Sequence, residues 1–185
     1  MQLKSSLPLI NLVVFLISTP VLTAQDYRVL VTNDDGINSP LLGPLVRELS
    51  RLSEVEVVVS APEENQSGSS QSSIGRTLVV TPATIEGASA AYAVRGKPDD
   101  AVRFGIVELG KEKDFDLVIS GINRGANVGE VSHLSGTVGA AMEAVYQGVP
   151  AIAVSQEVRD VDTETSAKLP VLVLLTGPGL LTSYL

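Results

Sequence analysis

Between Asp26 and Val154, short apolar runs alternate with stretches whose apolar residues recur every three or four positions. The first run, Tyr27-Arg28-Val29-Leu30-Val31, is rich in β-branched residues and ends at an Asp-Gly stop, which predicts a buried strand. Ser39-Pro40 reads as an N-cap followed by proline at the first helical position, and Leu41, Leu42, Leu45, Val46 and Leu49 continue at helical spacing. Val55 to Val59 predicts a second strand, closed by Ser60-Ala61-Pro62, and residues 63–75 a polar Ser- and Gly-rich loop. Leu78-Val79-Val80 and Ala91 to Val94 predict an inserted hairpin. A helix over Ala101 to Leu109, a strand at Leu117-Val118-Ile119, a helix over Thr137 to Gln147 and a strand at Ala151 to Val154 complete the pattern. Such alternation belongs to parallel βα units. The expected fold is therefore α/β: a Rossmann-like three-layer α/β/α arrangement with a mostly parallel sheet and an inserted β-hairpin.

Both ends depart from this pattern. Lys4 is the only charge before Asp26, and Leu7 to Ile17 is apolar apart from Asn11. Small residues follow up to a cleavage point near Ala24, with the larger Leu22 at the third position before the cut. Positive, apolar, then small is the order of a secretory signal, and the apolar part is short for a membrane span. Residues 1–24 are expected to be a signal peptide, or else an N-terminal anchor, making the protein periplasmic or secreted, with a cytoplasmic location as the alternative. At the other end Leu169 to Leu175 is apolar, interrupted by Pro170 and followed by Gly177-Pro178-Gly179. That proline would break a helix covering the sheet. Residues 156–185 are expected to be a divergent, truncated segment with apolar residues that have nothing to pack against.

At 185 residues the chain suits one domain with a full core, here residues 25–155. It has no cysteine, which excludes disulfides, thiolate metal sites and cysteine nucleophiles, and its one histidine, His133, excludes a His-based zinc cage. A net charge of −8 and the absence of Trp argue against a nucleic-acid polymer as partner. The overall field repels anions, so an anionic substrate needs local help from a metal or from backbone amides.

Loops that follow strands gather at the carboxyl edge of such a sheet, where open α/β folds bind ligands. Thr32-Asn33-Asp34-Asp35-Gly36 lies directly behind the first strand. Its neighbouring carboxylates repel each other, and a hard divalent cation such as magnesium or manganese relieves that repulsion. An Asp-Asp-Gly turn with both side chains in water fits the same residues. Ser120 to Gly129, rich in Gly and Asn, leads toward Ser135-Gly136-Thr137 at a helix start. There, free amides, two hydroxyls and the positive end of the helix dipole form a phosphate site without a cationic side chain. The plainer reading makes Ser135 a cap and makes Asn123 and Asn127 turn residues. The GxGxxG spacing of a dinucleotide site is missing.

The blocks Val31 to Gly36, Ala61-Pro62 with Asn65-Gln66-Ser67-Gly68, Gly96 to Val102, Ser120 to Gly129, and Ser135 to Glu143 with Gly148 to Ala151 occur in a fixed order. In that order they resemble the SurE family, stationary-phase survival proteins that act as metal-dependent nucleoside monophosphate phosphatases. The resemblance implies that Asp34, Asp35, Ser67 and Asn123 ligate the metal. It implies that Gly125, Asn127, Ser135, Gly136 and Thr137 line the phosphate pocket. The implied reaction is hydrolysis of a nucleoside 5′-monophosphate with Mg²⁺ or Mn²⁺, Asp34 serving as general base or water-orienting group and Asp35 as firm ligand. A longer chain, with an arm that joins subunits into a homo-oligomer, is also implied, and that arm is expected to be missing here. The alternative expectation is a nucleotide- or phosphate-binding module, or an inactive fragment, lacking the family's C-terminal region. Gly96-Lys97-Pro98 stands where the family often has Gly-Thr-Pro; Lys97 reads as a solvated surface lysine, and His133 as a bystander rather than a proton donor.

Overall fold

The computed structural model describes residues 27–75, 77–156 and 170–175. The expected signal segment and most of the segment from 156 to 185 lie outside the described residues. In chain order the elements are β1 (Tyr27–Thr32), α1 (Leu42–Leu49), β2 (Val55–Pro62), β3 (Val79–Ala83), β4 (Ala90–Arg95), α2 (Pro98–Phe104), β5 (Leu117–Arg124), α3 (Gly136–Tyr146), β6 (Ala151–Gln156) and β7 (Pro170–Leu175). One seven-stranded sheet runs β3-β4-β2-β1-β5-β6-β7. Its five inner strands are parallel, and β3 and β7 are antiparallel edges.

The period-2 geometry of the strands sorts their side chains onto two faces. Val29, Val31, Val57 and Val59 meet Leu42 and Val46 of α1 on one face. Leu30, Val58 and Val118 meet Val102 of α2 and Ala140, Ala141 and Ala144 of α3 on the other. Covering both faces requires apolar residues at successive positions, which is why these strands read as unbroken runs. The expected three layers are present.

Local differences have physical causes. Helix α1 starts at Leu42, not Pro40, because the Ser39 amide and carbonyl are taken up by a turn: Ser39 donates to Gly36 O (3.0 Å) and accepts from Leu42 (3.2 Å). The helix expected over 101–109 divides into α2 and one wider turn at Gly105–Leu109, closed by Gly110 donating to Gly105 O at 3.1 Å. Strand β5 continues to Arg124 past an irregularity between Ser120 and Asn123, so Asn123 sits on a strand end rather than in a loop. The run around Pro170, expected to lack a partner, is β7, paired with β6. Proline opens this edge strand, a position where its missing N–H is tolerated.

One core residue predicts a pH effect. Asp99, in the first turn of α2, is 2% exposed, and its Oδ1 is buried without a hydrogen-bond partner among the described residues. Burial, then the charges of Glu143 and Asp100, push its carboxyl from the ordinary 3.8 to about 7, against the opposing pull of Arg103. Arg103 is itself paired with Glu143 at 2.9 Å. A carboxyl raised in the folded state leaves stability intact below about pH 4 and removes it as pH climbs through 7. Asp99→Asn therefore stabilises the fold by about 2 kcal/mol at pH 8, where it removes a buried charge, and by little at pH 4, where the carboxyl is already neutral. Urea unfolding at the two pH values checks this; an equal gain at both contradicts it.

Candidate functional site

Strand β1 ends at Thr32, paired to Ser120 of β5, so the turn after β1 meets the last residues of β5 at the carboxyl edge of the sheet. Asn33 folds the turn after β1: its Nδ2 donates to Gly36 O (2.9 Å) and its Oδ1 accepts from Gly36 N–H (3.0 Å). The turn buries Asp34, at 2% exposure, and leaves Asp35 half-buried. Asp34 Oδ1 accepts from the Thr137 hydroxyl at 2.6 Å, so the carboxylate rests on the amino end of α3. The approach is close: a Cβ on Gly136 would lie 2.8 Å from Asp34 Cβ and 2.6 Å from Ser69 Oγ. Burial pushes the Asp34 carboxyl above its usual range; the hydrogen bond from Thr137 opposes this and the charge of Asp35 adds to it. Asp35 accepts from Asn65 Nδ2 at 3.1 Å and from the Arg124 N–H at 3.3 Å.

Asp34, Ser67, Asn123, Gly125, Asn127 and Ser135 line a common cleft of about 270 Å³. Asp35 lines an adjoining cleft of about 400 Å³ with Asn38, Glu63, Glu64 and Asn65. A larger hollow of about 530 Å³ shares Asn38, Glu63 and Glu64 but contains neither aspartate, so size alone does not locate the chemistry. The loop bearing Ser67 is tied down at both ends. Gln66 N–H donates to Asp34 O at 2.7 Å, and Asp100 accepts from the Ser73 hydroxyl and from Ile74 N–H. Asn123 Nδ2 donates to Gly125 O at 2.8 Å, which leaves its Oδ1 as a spare acceptor.

These donors fit a hard divalent cation. Two carboxylates, one hydroxyl and one amide oxygen are all oxygen ligands of the kind magnesium and manganese prefer. Among the described residues no three His, Cys, Asp or Glu side chains converge, so the set depends on Ser67 and Asn123.

Some expected site residues do other work. Ser135 lines the cleft, yet its Oγ accepts from Val138 N–H at 3.2 Å and caps α3. Thr137 turns its hydroxyl to Asp34, and neither it nor Gly136 lines the cleft. Lys97 is half-buried and donates to Gln66 Oε1 at 2.9 Å instead of being solvated. His133 is exposed and outside the cleft. Sequence reasoning missed three contributors: Asp100, the anchor of the Ser67 loop; Ser155, which accepts from Asn127 Nδ2 at 2.8 Å; and Arg124, which lines both clefts. For Arg124 the available signal was a lone cation within a Gly- and Asn-rich block of an acidic chain.

The family model described as "Survival protein SurE" matches residues 29–177. The "5'-nucleotidase SurE" of Paramagnetospirillum magneticum is 47% identical over 139 residues, which make up 74% of this chain and 51% of that protein. The protein of the same description from Methanopyrus kandleri is 49% identical over 134 residues, 72% of this chain and 50% of that one. The crystal structure of SurE protein from Aquifex aeolicus superposes with a TM-score of 0.62 at 38% identity, over 74% of this chain and 53% of that one. The chain thus spans about half the length of the curated relatives it matches.

Proposed function

The chain belongs to the Survival protein SurE family, and from that premise we propose that it is a metal-dependent phosphomonoesterase that converts nucleoside 5′-monophosphates to nucleoside and phosphate. The observation that carries this reading is the buried Asp34 beside Asp35, a carboxylate pair short of compensating charge at the edge of a cleft lined by hydrogen-bonding groups. Asp34, Asp35, Ser67 and Asn123 would hold a magnesium or manganese ion. Such an ion, when bound, supplies Lewis-acid charge to the phosphoryl oxygens.

The chain's own residues position and exchange protons. Asp34 has one oxygen fixed by Thr137, which leaves its other carboxylate oxygen to accept a proton from an attacking water. Asp35, held by two donors, keeps a fixed orientation as a ligand. Asn127, locked by Ser155, and Ser135 face the cleft where the anionic head would sit. Val131 and Leu134 line the same cleft at 53% and 62% exposure and offer apolar surface to the nucleoside. Phosphomonoester hydrolysis needs up to ~10²¹-fold acceleration, of which general acid–base catalysis supplies only about 10²–10⁴. Charge stabilisation and positioning must carry the rest.

A second reading is a nucleotide-binding module without turnover, which needs the same cleft but no proton transfer at Asp34. Phosphate release from AMP by the purified chain, with and without Mn²⁺, decides between them. The enzyme reading expects release that a chelator stops and Mn²⁺ restores; tight AMP binding with no release supports the module. Export rests on residues 1–24 and is proposed from their order alone; among the described residues no helix is long and apolar enough to cross a membrane. Retention of the mature chain in a periplasmic extract checks it.

A further inference from the structure

We propose that Arg124 is a substrate-binding residue whose guanidinium takes the non-bridging phosphate oxygens; the identity of the substrate rests on the phosphomonoesterase reading. Local charge is the first reason. The two clefts carry Asp34, Asp35, Glu63 and Glu64, and among the described residues Arg124 is the only cationic side chain lining either of them. Glu63 is already paired with Arg95 at 2.9 Å, which leaves three carboxylates facing one guanidinium. A phosphate monoester carrying close to two negative charges meets strong repulsion there. One divalent ion offsets only the aspartate pair, so a further cation is needed to admit the dianion.

Placement is the second reason. The Arg124 N–H donates to Asp35 Oδ2 at 3.3 Å, which fixes its backbone beside the aspartate pair, while its side chain is exposed and borders both clefts. Among the described residues no carboxylate forms an ion pair with it. A guanidinium fork in that position matches two phosphate oxygens at once, a geometry that lysine does not reproduce. Asn123 and Asn127 of the same block occupy the neighbouring wall. The cation that sequence reasoning assumed absent is thus supplied by the tip of β5.

The test uses the full chain loaded with Mn²⁺ and compares wild type, Arg124→Gln and Arg124→Lys. Calorimetry with inorganic phosphate is expected to show about tenfold weaker binding for Arg124→Gln, with partial recovery in Arg124→Lys. In turnover of AMP, kcat/KM falls about a hundredfold in Arg124→Gln, consistent with a charge-assisted pair. Mn²⁺ affinity stays within about twofold in both variants, because the Asp35 contact is made by backbone. Unchanged phosphate affinity in Arg124→Gln overturns the inference, as does wild type that binds no phosphate. Equal losses of Mn²⁺ and phosphate binding also overturn it, because the side chain would then act only by holding Asp35. Wild type that binds phosphate but releases none from AMP refutes hydrolysis and leaves calorimetry to decide the role of Arg124.

Discussion

Asp34→Asn loses metal-dependent phosphate release by at least about a thousandfold while the fold is retained. The expected size combines the loss of a proton acceptor, about 10²–10⁴-fold by itself, with the loss of an anionic ligand. Retention of the fold follows from local geometry. Asn is close in shape to Asp, its Oδ1 still accepts from the Thr137 hydroxyl, and a neutral group is easier to bury than a carboxylate. Gly136, packed against Asp34 Cβ, keeps its space because no atom is added there. Initial rates with AMP and saturating Mn²⁺, together with a thermal melt, check this. A variant with more than about a tenth of wild-type turnover removes Asp34 from the chemistry.

Gly139→Val lowers stability by about 3 kcal/mol and weakens Mn²⁺ binding with it. A Cβ at Gly139 would lie 2.6 Å from Ser70 O and 2.8 Å from Gln71 N, both backbone atoms that cannot rotate away. The Ser67 loop lies directly on α3 there and is held by Ser70 N–H donating to Leu134 O at 3.1 Å. On the other side of the helix, Val138, Ala140 and Ala141 pack in the same cluster as Leu30 and Val118. A branched side chain must either lift the helix from the sheet or push the loop away. The first costs core contacts, and the second displaces Ser67. At about 2–4 °C per kcal/mol for a chain of this size, the melting temperature falls by roughly 6–12 °C. Gly139→Ala shows the same changes at smaller amplitude; a valine variant with unchanged melting and unchanged Mn²⁺ affinity contradicts the close contact.

The layering was legible in the sequence because it rests on period alone. Val29, Leu30 and Val31 must all be apolar if β1 is buried on both faces, and the Asp-Gly stop directly behind them favours a short strand over a helix. The pairing of Asp34 with Asp35 was legible as a charge problem for a similar reason, since adjacency is visible without coordinates. What lay beyond reach depends on tertiary contacts. Ser39-Pro40 has the chemistry of a helix start, but a turn had already used the serine's backbone. Thr137 has the chemistry of a phosphate ligand, but its hydroxyl meets a carboxylate 103 positions earlier in the chain. Arg124 was hidden by its neighbours: glycines and asparagines read as a loop, whereas β5 extends as strand to the arginine and delivers it to the cleft. Pro170 argued against a helix correctly and was silent about an edge strand, where it is tolerated.

Titration of Mn²⁺ into the metal-free chain, followed by calorimetry, examines the aspartate pair without relying on turnover. One ion per folded chain is the predicted result, with binding lost in Asp34→Asn and retained in Asp99→Asn, whose carboxyl lies in the first turn of α2 rather than in the cleft. Folded protein that takes up no Mn²⁺, or an Asp34→Asn variant that binds it as tightly as wild type, would contradict a metal centre at Asp34 and Asp35.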